Sequence, residues 1–104
     1  MTIALVHVTF AEAEEAERVG QQLIEERLAA CVNLIPCASI FRFEDEVQTA
    51  HEISATFKTL PNRAAALARR IGELHSYDLP AIESWPVAAP DNVVQWVTEA
   101  TSPD

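Results

Sequence analysis

The chain has 104 residues, 49% of them hydrophobic, with 7 basic and 16 acidic side chains and a net charge of −9. One domain spanning 1–104 with an ordinary packed core fits this length, and there is no room for a second. The acidic balance excludes a nucleic-acid binder, which needs a basic face for phosphates, and an anionic-membrane binder for the same reason.

Residues 3–10, IALVHVTF, read as a first strand, too short to span a bilayer and without the basic start of an export signal. A cytoplasmic protein is expected. Thr9 and Glu12 have the spacing of a capping box, and the helix predicted after them runs to about Arg27. Ala16, Val19, Leu23 and Ile24 form its apolar stripe. Glu12, Glu14, Glu15 and Glu17 crowd its start, where the helix dipole favours negative charge, and they read as a solvated helix end.

Residues 30–59 carry the strongest signal. Val32, Leu34, Ile35, Ile40, Phe41 and Phe43 fill one arm of a predicted hairpin, and Val47, Ile53 and Phe57 fill the other. A turn of about three residues, Glu44-Asp45-Glu46, joins arms of roughly 13 residues, against about 5–6 for an ordinary strand. Fully extended, each arm is about 40 Å long. A domain of this size has a radius of gyration near 13 Å, so the hairpin overhangs its own globule. Exposed ribbon edges and apolar faces call for a neighbouring copy. Pro36 marks an edge or a bulge in the first arm.

Pro61 opens a second helix that runs to about Leu74, with Ala64, Leu67, Ala68, Ile71 and Leu74 inward. His75-Ser76-Tyr77-Asp78-Leu79-Pro80 is a non-repetitive link. Ala81–Val87 is a fourth strand, and Asp91 or Asn92 caps a short last helix that turns Val93, Trp96, Val97 and Ala100 inward. The order βαββαβ plus a short C-terminal helix predicts an α+β, ferredoxin-like sandwich with helices on one side of an antiparallel sheet.

The polar clusters give few leads. Cys31 and Cys37 are about 20 Å apart on an extended strand, far beyond disulfide reach. His7, His51 and His75 do not share a metal-ligand spacing with either cysteine. Cys31 with His75 is the one nucleophile–base pairing worth naming, and it lacks an orienting third group. Glu52 and Lys58 share one face of a strand but stand six residues apart. The chain has two glycines, Gly20 and Gly72, and no glycine-rich phosphate loop. An acyl-phosphate hydrolase on this sandwich would need a donor-rich loop after the first strand, and Thr9-Phe10-Ala11-Glu12 is acidic.

Glu26-Arg27-Leu28-Ala29-Ala30-Cys31-Val32-Asn33-Leu34-Ile35-Pro36 closely resembles the signature of the CutA divalent-cation tolerance family. So do Ser39-Ile40-Phe41-Arg42-Phe43-Glu44, Glu52, Phe57-Lys58-Thr59, His75-Ser76-Tyr77-Asp78-Leu79-Pro80 and Trp96. The resemblance implies a homotrimer built through the long strands, with no enzymatic reaction and no obligatory cofactor. It implies a role in the response to metal ions, with copper, another divalent cation or a small ligand held in a cleft between subunits. Carried over residue by residue, Cys31, Glu52, Lys58, His75 and Tyr77 are the cleft candidates, with His75 and Cys31 as metal ligands. The alternative is a signalling or scaffold trimer that acts through a protein partner without metal. The chain departs from the family pattern at Phe41 and Phe43, where Tyr and Trp are usual. It also carries Asp45 for glycine, Ser76 for proline, Asp78 for glutamate and Ala81 for glutamate.

Overall fold

The computed structural model describes residues 1–103. Strand β1 (Thr2–Phe10) leads to helix α1 (Ala13–Glu25), then β2 (Cys31–Phe43) and β3 (Glu46–Thr59). A 3-10 turn, Pro61–Arg63, opens α2 (Ala64–Leu74), followed by β4 (Glu83–Ala88) and α3 (Asp91–Ala100). The strands form one antiparallel sheet in the order β2-β3-β1-β4. This is the α+β, ferredoxin-like order expected from the sequence. Pro36 and Pro86 lie on the two edge strands, where a missing N–H costs no ladder bond.

Alternation along the strands sets the layers. Val6, Val8 and Phe10 of β1 and Ala55 and Phe57 of β3 point to one face. They bury against Ala16, Val19 and Leu23 of α1 and Leu67 and Ile71 of α2. Ile3 and Leu5 have the opposite parity on β1, and they pack with Val87 against Val94 and Val97 of α3. The third helix therefore covers the other face of the sheet. The expectation of helices on one side holds for α1 and α2 only.

Helix α1 departs from its expected ends. Thr9 is still a strand residue paired with Ser54, and Glu12 precedes the helix without a side-chain cap bond, so no capping box forms. The helix stops at Glu25 because Arg27 turns left-handed, with φ 62°. Its N–H donates to the Ile24 carbonyl at 3.0 Å, and the Leu28 N–H donates to the Leu23 carbonyl at 3.1 Å. That is a Schellman ending with arginine in the position glycine usually takes.

The hairpin turn is tighter than expected. Phe43 pairs with Glu46, which leaves a two-residue loop, Glu44-Asp45, with φ 52° and 65°. Two consecutive positive φ values define the type I′ turn, whose twist matches that of the flanking strands. Glu46 thus belongs to β3 and not to the turn.

The overhang is present. β1 supports β3 only from Thr59 back to Ile53. From Cys37↔Glu52 to Phe43↔Glu46 the ladder is a two-stranded ribbon. Ile40 and Val47 on it are 74% and 65% exposed, and the molecule extends 45 Å along its longest axis.

The two glycines make opposite predictions. A Cβ on Gly20 would lie 2.9 Å from Val32 Cγ1, whereas one on Gly72 would meet Ile82 Cδ1 at an ordinary 4.0 Å. Alanine gains about 1 kcal/mol of helix propensity at either site. Overpacking against a stiff β-branched side chain costs about 1–3 kcal/mol, so Gly20→Ala should lose about 1 kcal/mol net. Gly72→Ala should gain about 0.5–1 kcal/mol. Urea midpoints measured at equal chain concentration decide both signs.

Candidate functional site

The link after α2 is held by its own side chains. The His75 N–H donates to the Ile71 carbonyl at 2.9 Å and ends the helix. The ring turns inward and is fully buried. Nε2–H donates to the Thr9 carbonyl at 2.7 Å, and Nδ1 accepts the Tyr77 backbone N–H at 3.0 Å. These partners assign the neutral Nε2–H tautomer. The ring also stacks on Phe10, with centroids 4.4 Å apart and planes 7° from parallel. Glu15 of α1 accepts the Ser76 N–H at 2.8 Å and its hydroxyl at 2.9 Å. Glu15 lies 3.9 Å from His75 Nδ1, whose lone pair Tyr77 already uses, so this is a loose contact and not a hydrogen bond.

Tyr77 carries the link across to the ribbon. Its hydroxyl donates to Glu52 Oε2 at 2.6 Å, at the rung where β3 leaves the support of β1. Burial pushes the Glu52 carboxyl up, but hydroxyls of Ser39, Tyr77 and Thr9 outweigh it and hold the group below its ordinary value. Of these three, only Tyr77 makes a hydrogen bond of good geometry. Burial, then the bond to Glu52, push the Tyr77 phenol well above its usual range. Glu52 stands between two grooves. One, of about 820 Å³, is lined by Thr9, Ser39, Phe41, Phe43, Tyr77 and Leu79. The other, of about 520 Å³, is lined by Glu12, Pro36, Cys37, His51 and Ile53.

The five cleft candidates fall into two groups within the protomer. Glu52, His75 and Tyr77 come together at the root of the ribbon. Cys31 and Lys58 face each other at the far end of the β2–β3 ladder, six rungs from Cys37↔Glu52. There Lys58 Nζ donates to Asn33 Oδ1 at 3.3 Å and to Cys31 Sγ at 3.7 Å. Six extended residues span about 20 Å. The Cys31–His75 nucleophile–base pair therefore does not form, because ladder register separates its members. Cys31 and Cys37 are free thiols, as their separation predicts. Among the described residues, no three His, Cys, Asp or Glu side chains gather as a metal cluster within one protomer.

Glu15 reads in the sequence as part of the solvated acidic start of α1, yet it is 8% exposed. Its signal was the spacing Glu15, Val19, Leu23, which puts it on the apolar stripe.

A sheet completed by an overhanging ribbon, with a tyrosine–carboxylate pair at its root, defines a class of small ferredoxin-like sandwiches. Residues 4–100 match the model of the CutA1 divalent ion tolerance protein family, and the chain belongs to that family. It is 36% identical to the divalent-cation tolerance protein CutA of Pyrococcus horikoshii over 98 residues, 93% of this chain and 96% of that one. It is 35% identical to the Thermus thermophilus protein of the same name over 99 residues, again 93% and 96% of the two chains. Among solved structures, the periplasmic divalent cation tolerance protein CutA of Archaeoglobus fulgidus superposes with a TM-score of 0.93 at 31% identity, covering 96% and 99% of the two chains.

The Tyr77–Glu52 bond sets a pH window. The lowered Glu52 contributes stability above the ordinary carboxyl value of 4.5, lost as pH falls through its folded value. The raised Tyr77 contributes below 10.0, lost as pH rises through its folded value. Tyr77→Phe should cost about 1 kcal/mol at neutral pH, a charged hydrogen bond discounted for partial exposure. It should also flatten the alkaline limb of a stability–pH curve measured by urea denaturation.

Proposed function

We propose that the protein acts as a homotrimer in divalent-cation tolerance, with copper or another small ligand bound in a cleft between subunits. The exposed two-stranded ribbon carries this reading. Its unpaired edges and the side chains of Ile40, Phe43 and Val47 are satisfied when sister copies cover them. Assembly also supplies what one protomer lacks. The Cys31–Lys58 end of one subunit can approach the Glu52–Tyr77 corner of another, which would unite the five cleft residues. His75 would enter a metal shell only by giving up the Tyr77 N–H or the Thr9 carbonyl. Cys31 offers a thiol for a soft cation. The two free thiols suit a reducing compartment, in keeping with a cytoplasmic location.

The saturated His75 ring favours a second reading. With both nitrogens engaged, it serves as the structural pin of the link, and the trimer would signal through a protein partner without metal.

Size-exclusion chromatography with light scattering should give about three times the 11.5 kDa chain mass. A monomer mass defeats the assembly. Calorimetric titration of copper into wild type, Cys31→Ser and His75→Ala separates the two readings. The cleft reading expects affinity in the wild type that falls at least about tenfold in Cys31→Ser. No heat in any of the three leaves the scaffold reading.

A further inference from the structure

The sheet face opposite α1 and α2 is apolar at its margins and polar at its centre. Register puts Ile35, Phe41 and Phe43 of β2 and Trp85 of β4 on this face, because their ladder partners are Ser54, Gln48, Glu46 and Leu5. In the lone protomer these four side chains are 62%, 39%, 55% and 42% exposed. In the trimer proposed above, sister copies cover such a face. His7 lies among them on the central strand β1. Its Nδ1 is 2.8 Å from Glu83 Oε1 on β4, and its Nε2 is 2.7 Å from Ser54 Oγ on β3. Glu83 stands directly across the β1–β4 ladder, while Ser54, paired with Thr9, is the diagonal neighbour on β3.

From this placement we infer that the His7–Glu83 pair makes the proposed trimer pH-sensitive: it takes up a proton when a sister copy covers it and releases one when the subunits part. The step presupposes that trimer. Imidazole is the side chain whose charge ordinarily changes near neutral pH. In the lone protomer Glu83 is 59% exposed and the His7 ring 26%, so water solvates the carboxylate whether or not the imidazole is charged. Cover removes that water. With His7 neutral, the pair carries a net negative charge into the interface, and with His7 protonated it carries none. Assembly therefore favours the imidazolium–carboxylate form. The comparison is between two protonation states of one pair, so it holds whether or not the pair adds to stability overall.

The three side chains accept the proton without rearranging. Neutral His7 donates Nδ1–H to Glu83 and accepts the Ser54 hydroxyl at Nε2. Charged His7 donates from both nitrogens, and the Ser54 hydroxyl rotates its own proton away. The paired strands fix this spacing in either state. The other titratable or charged groups on this face are Glu46, Glu52 and Lys58 on β3 and Cys31 and Cys37 on β2. Helix α3, over the apolar end, brings Asp91 and Glu99. Among the described residues His7 bonds only Glu83 and Ser54, while Glu52 is held by Tyr77 and Lys58 by Asn33. Glu83 is therefore the charge that sets the sign.

The test follows dissociation of the full chain by light scattering in rising urea, between about pH 6 and 8. The reading is the urea concentration at which the trimer mass is lost. In the wild type this midpoint should fall as pH rises. Parting releases up to about three protons per trimer, so the formation constant should drop at least about tenfold per pH unit. His7→Gln should leave the midpoint nearly level over the same range, with His51 and His75 still present to show any background. Glu83→Gln, at a site exposed in the protomer, should abolish or reverse the fall, because the imidazolium then has no counter-charge. A wild-type slope matched by both variants overturns the inference and leaves the assembly standing. A wild-type mass of one chain without urea removes the assembly and its pH dependence together.

Discussion

The β2–β3 ladder is longer than the sheet it belongs to, and that mismatch governs the rest of the molecule. β1 can pair β3 only over its own length, so everything beyond Ile53 toward the turn must stand as a two-stranded ribbon. An isolated two-stranded ribbon is marginal in water. Here it is anchored at its root by Glu52, which reaches out of the ladder to the Tyr77 hydroxyl. The carboxylate therefore joins a rigid sheet to an irregular link at the place where the sheet runs out of partners.

The link can meet it because it is itself immobilised from behind. His75 uses both ring nitrogens on backbone partners and one ring face on Phe10, and Glu15 holds Ser76 through two bonds. Buried polar groups that are fully satisfied specify one arrangement, whereas a half-satisfied set would be costly. The departure from the family pattern at Ser76 acquires a role in this setting. A serine supplies both a backbone N–H and a hydroxyl to Glu15, and a proline would supply neither.

The outer face of the sheet has a different character at its two ends. Near Ile3 and Leu5 it is apolar and covered by α3. Farther along β1 it becomes polar, with His7 bonded to Ser54 on one side and Glu83 on the other. The same alternation that buries Val6 and Val8 against the helices exposes His7 between them. A histidine in a strand of apolar alternation is thus placed by parity, and its partners are chosen by register.

The strands, the two large helices, the overhang and the family signature were legible in the amino-acid sequence, because each depends on periodicity or local spacing. Val6-x-Val8-x-Phe10 declares a half-buried strand, and two long arms about one acidic turn declare a ribbon, whatever the rest of the chain does. The termini of α1, the type I′ turn, the side on which α3 packs and the membership of each polar cluster were decided only in three dimensions. A helix end depends on which backbone N–H groups find carbonyls, and a turn type depends on the register of its strands. Cys31 and His75 were candidates for the same site until ladder register put six rungs between Cys31 and Glu52. His7, Ser54 and Glu83 are scattered through the chain and meet because β1 runs between β3 and β4. Local patterning is written in consecutive residues, whereas strand order and register result from burying one common face, and no short stretch of the chain contains that information.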